Sequence, residues 1–180
     1  MSATADVARL AGLLDAEAID SAGRMFPVHG DLIDRLELTA KSAEAAAPMG
    51  GMLVLDRPGQ SVEVHIRLRV PSAANFAGRQ ARLHHVDLIC GDILGPALDR
   101  NMIANPTTKV VARFEAKDGR RDGDYLTVSH RFTDVRRDFY VRVRGTNREL
   151  LEPELDPISI NPWDDLWFYS NPVMIRLTKS

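Results

Sequence analysis

Between residues 61 and 70 every second position is apolar: Val62, Val64, Ile66, Leu68 and Val70 alternate with Glu63, His65, Arg67 and Arg69. Successive side chains of a strand point to opposite faces, so this stretch predicts a half-buried antiparallel strand with a wet outer face. The period of two recurs along the chain. It predicts a first strand through Leu36 and Leu38, then strands over 52–56, 86–90, 109–116, 125–132, 139–144 and 173–177. Turn residues separate them, among them Arg57-Pro58-Gly59-Gln60 and a long loop carrying Pro96, Asn101, Asn105 and Pro106. Residues 42–50, rich in alanine with Pro48 and Gly50, read as a connection or a short helical turn.

Residues 4–23 follow a different period. Val7, Leu10, Leu14 and Ala18 recur at helical spacing, with Leu13 and Ile19 widening the stripe. Thr4 as N-cap and Gly23 as stop complete a predicted helix. The chain thus divides into a helix and lead-in segment over 1–34 and a β domain over 35–180. Short strands, turn-rich loops and no intervening helix predict a mainly β fold, an antiparallel immunoglobulin-like β-sandwich with one N-terminal helix.

Composition narrows the function classes. A chain of 180 residues buries roughly 70% of its unfolded surface, enough for one real core. The net charge of -2 gives no electrostatic reason to expect nucleic acid or an anionic membrane as partner. Cys90 is the single cysteine, so no internal disulfide forms. No run approaches the length of a membrane span, and the first residues lack the basic and apolar regions of a signal peptide, which makes the cytoplasm the expected location.

Five stretches carry a resemblance. They are Val28-His29-Gly30-Asp31-Leu32-Ile33-Asp34, Val86-Asp87-Leu88-Ile89, Asn105-Pro106-Thr107-Thr108-Lys109-Val110, Tyr140-Val141-Arg142-Val143-Arg144-Gly145-Thr146-Asn147 and Leu166-Trp167-Phe168-Tyr169-Ser170-Asn171-Pro172. Together they resemble the C-terminal β-sandwich region of bacterial PHP-type (polymerase and histidinol phosphatase superfamily) metallo-phosphoesterases, over about residue 7 to the end. The resemblance implies a sandwich that accompanies a metal-binding, barrel-like catalytic domain. That catalytic half needs a His-x-His pair and further His, Glu and Asp ligands for a centre of two or three metals. The five histidines here, His29, His65, His84, His85 and His130, include no such pair. The resemblance therefore implies the accessory sandwich without the active site, and no cofactor.

Several residues remain candidates for chemistry. His29 and Asp31 flank Gly30, where a turn is the plain reading and a metal ligand or substrate contact reaching into a neighbouring active site the functional one. Adjacent His84 and His85 should point to opposite faces of a strand, so that only His85 and Asp87 offer a divalent metal a pair of ligands, fewer than a zinc site needs. Aspartates at 87, 92, 99, 122, 124, 164 and 165, mostly in loops, would suit a calcium-binding module. Arg136, Arg137, Arg142 and Arg144 form a basic group with Glu149, Glu152, Glu154 and Asp156 nearby as ion-pair partners. Trp163, Trp167 and Tyr169 belong to an aromatic segment of which half should be core and half exposed, a docking surface or a carbohydrate platform.

The leading expectation is a non-catalytic accessory or interaction domain. Its partner would be a catalytic domain, another protein or a second copy of itself, met through 28–34 and 163–171. The alternatives are a metal-dependent phosphoesterase and a calcium- or carbohydrate-binding module.

Overall fold

The architecture comes from a computed structural model that describes residues 18–19, 25–26, 32–75, 78–96, 104–149 and 166–178. In chain order the strands are β1 (Ala18–Ile19), β2 (Met25–Phe26), β3 (Arg35–Lys41), β4 (Ala46–Pro48), β5 (Met52–Leu55), β6 (Gln60–Arg69) and β7 (His85–Asp92). They continue with β8 (Lys109–Glu115), β9 (Arg120–Asp122), β10 (Tyr125–Val135), β11 (Phe139–Thr146), β12 (Trp167–Tyr169) and β13 (Val173–Leu177). The protein is mainly β. One large sheet has the order β4-β3-β6-β10-β9, the other β5-β13-β11-β7-β8, with β12 also paired to β11.

The first two strands correct the helix prediction. β1 pairs antiparallel with β2, Ala18 opposite Phe26 and Ile19 opposite Met25, so a helix does not run through Ala18 and Ile19. A short alanine-rich helix has little stability of its own, and strand pairing takes over this end of the stretch. The rest of the predicted helix lies outside the described residues.

The alternation holds from Val62 to Leu68, while Val70 lies just past the strand and is half-buried. Val62, Val64, Ile66 and Leu68 of β6 have no exposed surface and form the centre of the core. Leu38 and Ala40 of β3 and Leu126 of β10 join them from the same sheet. The second sheet contributes Val86 and Leu88, Val141 and Val143, and Val173 and Ile175. Two pleated sheets pack their apolar faces against each other, which is the sandwich solution to having one wet face on each.

Two features depart from the sequence reading. Residues 42–50 contain a strand rather than a simple connection. The Ser42 hydroxyl accepts hydrogen bonds from the Glu44 and Ala45 amides at 3.2 and 3.0 Å, turning the chain so that β4 pairs back onto β3. Second, one pairing is parallel: β13 lies beside β5 in the same direction, Ile175 opposite Leu53. The other strand pairs are antiparallel.

The chain changes sheet five times, after β4, β5, β6, β8 and β10, and two of these crossings carry a visible device. Between β4 and β5 the Gly50 amide donates to the Pro172 carbonyl at 2.9 Å, and the Met174 amide donates to the Gly51 carbonyl at 3.0 Å. The turn is therefore tied to the last strand. Between β10 and β11 the register shifts after Phe132, and Asp134 adopts a φ of 54°. Such a bulge bends a strand so that its continuation can join the opposite sheet.

Phe168 fixes how closely β12 approaches β11. Gly145 lies opposite Phe168, and a Cβ added there would collide with the Phe168 ring and sit 3.1 Å from the His85 carbonyl. Phe168 is buried, whereas Trp167 and Tyr169 on either side turn outward. A Gly145→Val substitution is expected to destabilise the fold by about 1–3 kcal/mol through overpacking. Urea unfolding read by tryptophan fluorescence checks this, and an unchanged midpoint would show that β12 is not held by this contact.

Candidate functional site

Alternation places a second set of side chains on the outer face of the second sheet. From β7 these are His85, Asp87, Ile89 and Gly91, and from β11 Tyr140, Arg142, Arg144 and Thr146. Register then decides which of them meet. Asp87 lies opposite Arg144 on one side and Arg113 of β8 on the other. Its carboxylate has no exposed surface.

Arg113 grips Asp87 as a fork, Nε to Oδ1 at 2.6 Å and Nη2 to Oδ2 at 2.8 Å. Arg144 adds contacts from Nε and Nη2 to Oδ2, each at 3.1 Å. A buried carboxylate is tolerated only with its charge matched and its lone pairs occupied. Burial alone would raise the Asp87 pKa; the hydrogen bonds of Arg113, and then those of Arg144, outweigh it and hold the carboxyl below its ordinary range. Trp167 completes the cluster, with the Arg144 guanidinium carbon 5.5 Å from its ring centre and Tyr169 stacked beside it at 6.4 Å.

The two adjacent histidines come together, against the sequence reading. Their Nδ1 atoms are 3.0 Å apart and the rings meet edge to face. His84 stands just before β7, its amide donating to the Thr146 carbonyl and its carbonyl accepting from the Ala116 amide, each at 2.8 Å. A hydrogen bond between two Nδ1 atoms needs one protonated and one bare nitrogen. Asp87 Oδ2 lies 4.0 Å from His85 Nε2, which favours the proton there, so we assign His84 as donor and His85 Nδ1 as acceptor. Glu115 is 3.7 Å from the same His84 nitrogen. Burial, then the charge of Arg113, pushes the His85 pKa below the ordinary imidazole value against the pull of Asp87.

The sequence candidates separate accordingly. His85 and Asp87 share a face, but Asp87 spends its oxygens on two guanidinium groups, so the pair compensates charge rather than presenting ligands. Among the described residues no group of three or more His, Cys, Asp or Glu is placed to hold a metal ion. His29, Asp31 and Trp163 lie outside the described residues. Arg136 and Arg137 of the basic group pair with Asp134 and Asp92, at 2.8 and 3.1 Å. Sequence reasoning missed the link of Arg113 and Arg144 to Asp87, because the partners lie 26 and 57 positions away; local acids were the nearer inference.

The aromatic segment meets the start of β3. Ile33, Asp34 and Leu36 line an open groove of about 550 Å³ together with Met49, Trp167 and Tyr169. Asp34 is itself fixed by a forked ion pair with Arg69, both contacts at 2.6 Å. Met49 and Tyr169 are 37% and 56% exposed, so the groove carries apolar side chains in contact with solvent. No described helix is long and apolar enough to cross a membrane.

Two tests follow from the charge cluster. Asp87→Asn removes the charge that two guanidinium groups share and is expected to cost about 3–5 kcal/mol, more than Arg113→Gln, whose side chain is 28% exposed and whose loss leaves Arg144 in place. Urea midpoints at pH 7.5 check the order, and the reverse order would show that Arg113 rather than Asp87 anchors the cluster. The pH response has a definite sign. Because the folded His85 takes up its proton at lower pH than the unfolded chain, stability falls as pH drops below about 6.5. Asp87 contributes stability that is fully present above the unfolded value of about 3.9 and is lost as pH falls through the depressed folded value. His85→Gln is expected to flatten the slope of urea midpoint between pH 7.5 and 5.5, leaving the part due to His130, which burial also holds down. An unaltered slope would place the titration elsewhere.

No family model, curated protein or solved structure matches this chain.

Proposed function

We propose that this chain is a non-catalytic accessory domain that docks on a catalytic domain or another protein, in the manner of the sandwich that accompanies PHP-type phosphoesterases. The observation that carries the reading is the groove in which the two expected contact segments meet. Ile33 and Asp34 belong to the first, Trp167, Tyr169 and Asn171 to the second, and Met49 joins them. Aromatic and methionine side chains left in water around a concave surface are the usual anchors of an interface. The immunoglobulin-like form of the sandwich and a cytoplasmic location belong to the same proposal; the two packed sheets support the first.

The reading makes the chemistry of the charge cluster structural. Arg113 and Arg144 neutralise Asp87, the carboxylate that shares a face with His85. The carbohydrate reading draws on one observation, the stacked Trp167 and Tyr169 rings, which share an orientation to within 18°.

Assays of the protein supplied with manganese, iron or zinc on p-nitrophenyl phosphate and its bis-ester are expected to show no turnover above buffer. Turnover that saturates with substrate and disappears in His85→Gln would remove the accessory reading. Sedimentation velocity adds the docking side: if the occupant of the groove is a second copy, Tyr169→Glu weakens self-association by about tenfold or more, as loss of an anchor does. A monomer at all concentrations assigns the groove to a different protein. Saturable glycan binding that Trp167→Ala abolishes would favour the carbohydrate module instead.

A further inference from the structure

Arg142 stands apart from the other arginines of its face. Arg113 and Arg144 are held by Asp87, and Arg176 by Asp138 at 2.7 Å. Arg142 has no acidic partner among the described residues, and its Nε is buried without a hydrogen-bond partner. A guanidinium stays charged at any physiological pH. A buried donor left unmade is costly, so this group is set up for an acceptor that the described protein does not itself provide.

The side chain lines an open cleft of about 570 Å³, distinct from the groove and sharing only Asn171 with it. Three separate stretches build the cleft: the turn before β8, the middle of β11 and the link between β12 and β13. The turn is pinned by Asn105, whose Oδ1 accepts from the Thr107 amide and hydroxyl at 3.0 and 2.7 Å while its Nδ2 donates to the Asp92 carbonyl at 2.8 Å. That fixes Thr108, whose hydroxyl lies 2.6 Å from the Tyr140 hydroxyl. Tyr140 reaches this position by lying across Gly91, where an added Cβ would come within 2.5 Å of the phenolic oxygen.

The donors are poised rather than spent. Of the two protons on the Thr108 and Tyr140 hydroxyls, one is used between them and one remains to donate. Ser170 Oγ accepts from the Val143 amide at 2.9 Å, which leaves its own proton available. Asn171 stands exposed at the rim, and among the described residues no carboxylate lines the cleft.

We propose that this cleft binds a small molecule through a tetrahedral oxyanion, a phosphate or sulfate group, seated against Arg142. A carboxylate offers two oxygens in one plane, whereas the guanidinium, the paired hydroxyls and Ser170 present donors from three stretches of chain. A tetrahedral group meets such a set with oxygens in several directions. The cleft is far larger than one such group, and Pro172 and Met174 give its remainder an apolar wall for the organic part of the ligand.

The test uses the whole chain, titrated at constant ionic strength and followed by amide resonances in nuclear magnetic resonance spectra. Inorganic phosphate and inorganic sulfate are expected to shift Thr108, Arg142 and Ser170 saturably. Arg142→Gln is expected to weaken that binding by about tenfold or more. Asn171→Asp, at an exposed position outside the packed core, adds a negative charge at the rim and is expected to weaken it as well. Shifts that stay linear, or that both variants leave unchanged, would overturn the site. Acetate binding as tightly as phosphate would overturn its tetrahedral character.

Discussion

A carboxylate with no access to water has to be matched where it stands, and the second sheet is arranged around that requirement. Asp87 occupies the outer face of a central strand, where an apolar residue would be expected to cause no difficulty. Arg113 and Arg144 arrive from the strands on either side, and only one register of β8-β7-β11 brings both guanidinium groups to it. A slip of one residue would turn every side chain of the slipped strand to the opposite face and leave the charge unmatched. Buried ion pairs add little to stability beyond what apolar residues would give, but they penalise wrong arrangements severely. The cluster thus sets alignment, and the positions of Trp167, Arg142 and Tyr140 follow from it.

The division of labour among arginines carries the functional argument. Neighbouring positions on one strand differ in fate because the opposite strand offers Asp87 at one site and Ile89 at the next. Arg144 therefore becomes part of the scaffold, while Arg142, facing Ile89, keeps its charge for something else. The groove and the cleft lie on either side of Asn171.

Much of the fold was legible in the sequence, and the reason is elementary. Alternation at Val62, Val64, Ile66 and Leu68 reports a face, and a strand with one wet face needs a second sheet. The outward turn of Trp167 and Tyr169 around buried Phe168 follows from the same rule. What was not legible depends on partners distant in sequence. The parallel pairing of β13 with β5 and the pairing of Asp87 with Arg113 and Arg144 arise from three-dimensional arrangement, which local pattern does not encode. The meeting of His84 and His85 was lost because alternation of direction does not say how near two adjacent rings come. The end of the predicted helix failed because periodicity alone does not decide between a weak helix and a short strand ladder.

The placement of β13 has a consequence for how the protein is made. This strand lies between β5 and β11, and its neighbouring Pro172 carbonyl ties down the turn between the sheets. During synthesis β5 emerges more than a hundred residues before the strand that covers it, and β11 waits as well with one side partly open. Unpaired strand edges of this kind are templates for pairing with other chains. The nascent protein therefore carries two adhesive edges until residues 173–177 appear, and a ribosome that stalls in the preceding loop would release a species prone to aggregate rather than a smaller folded one.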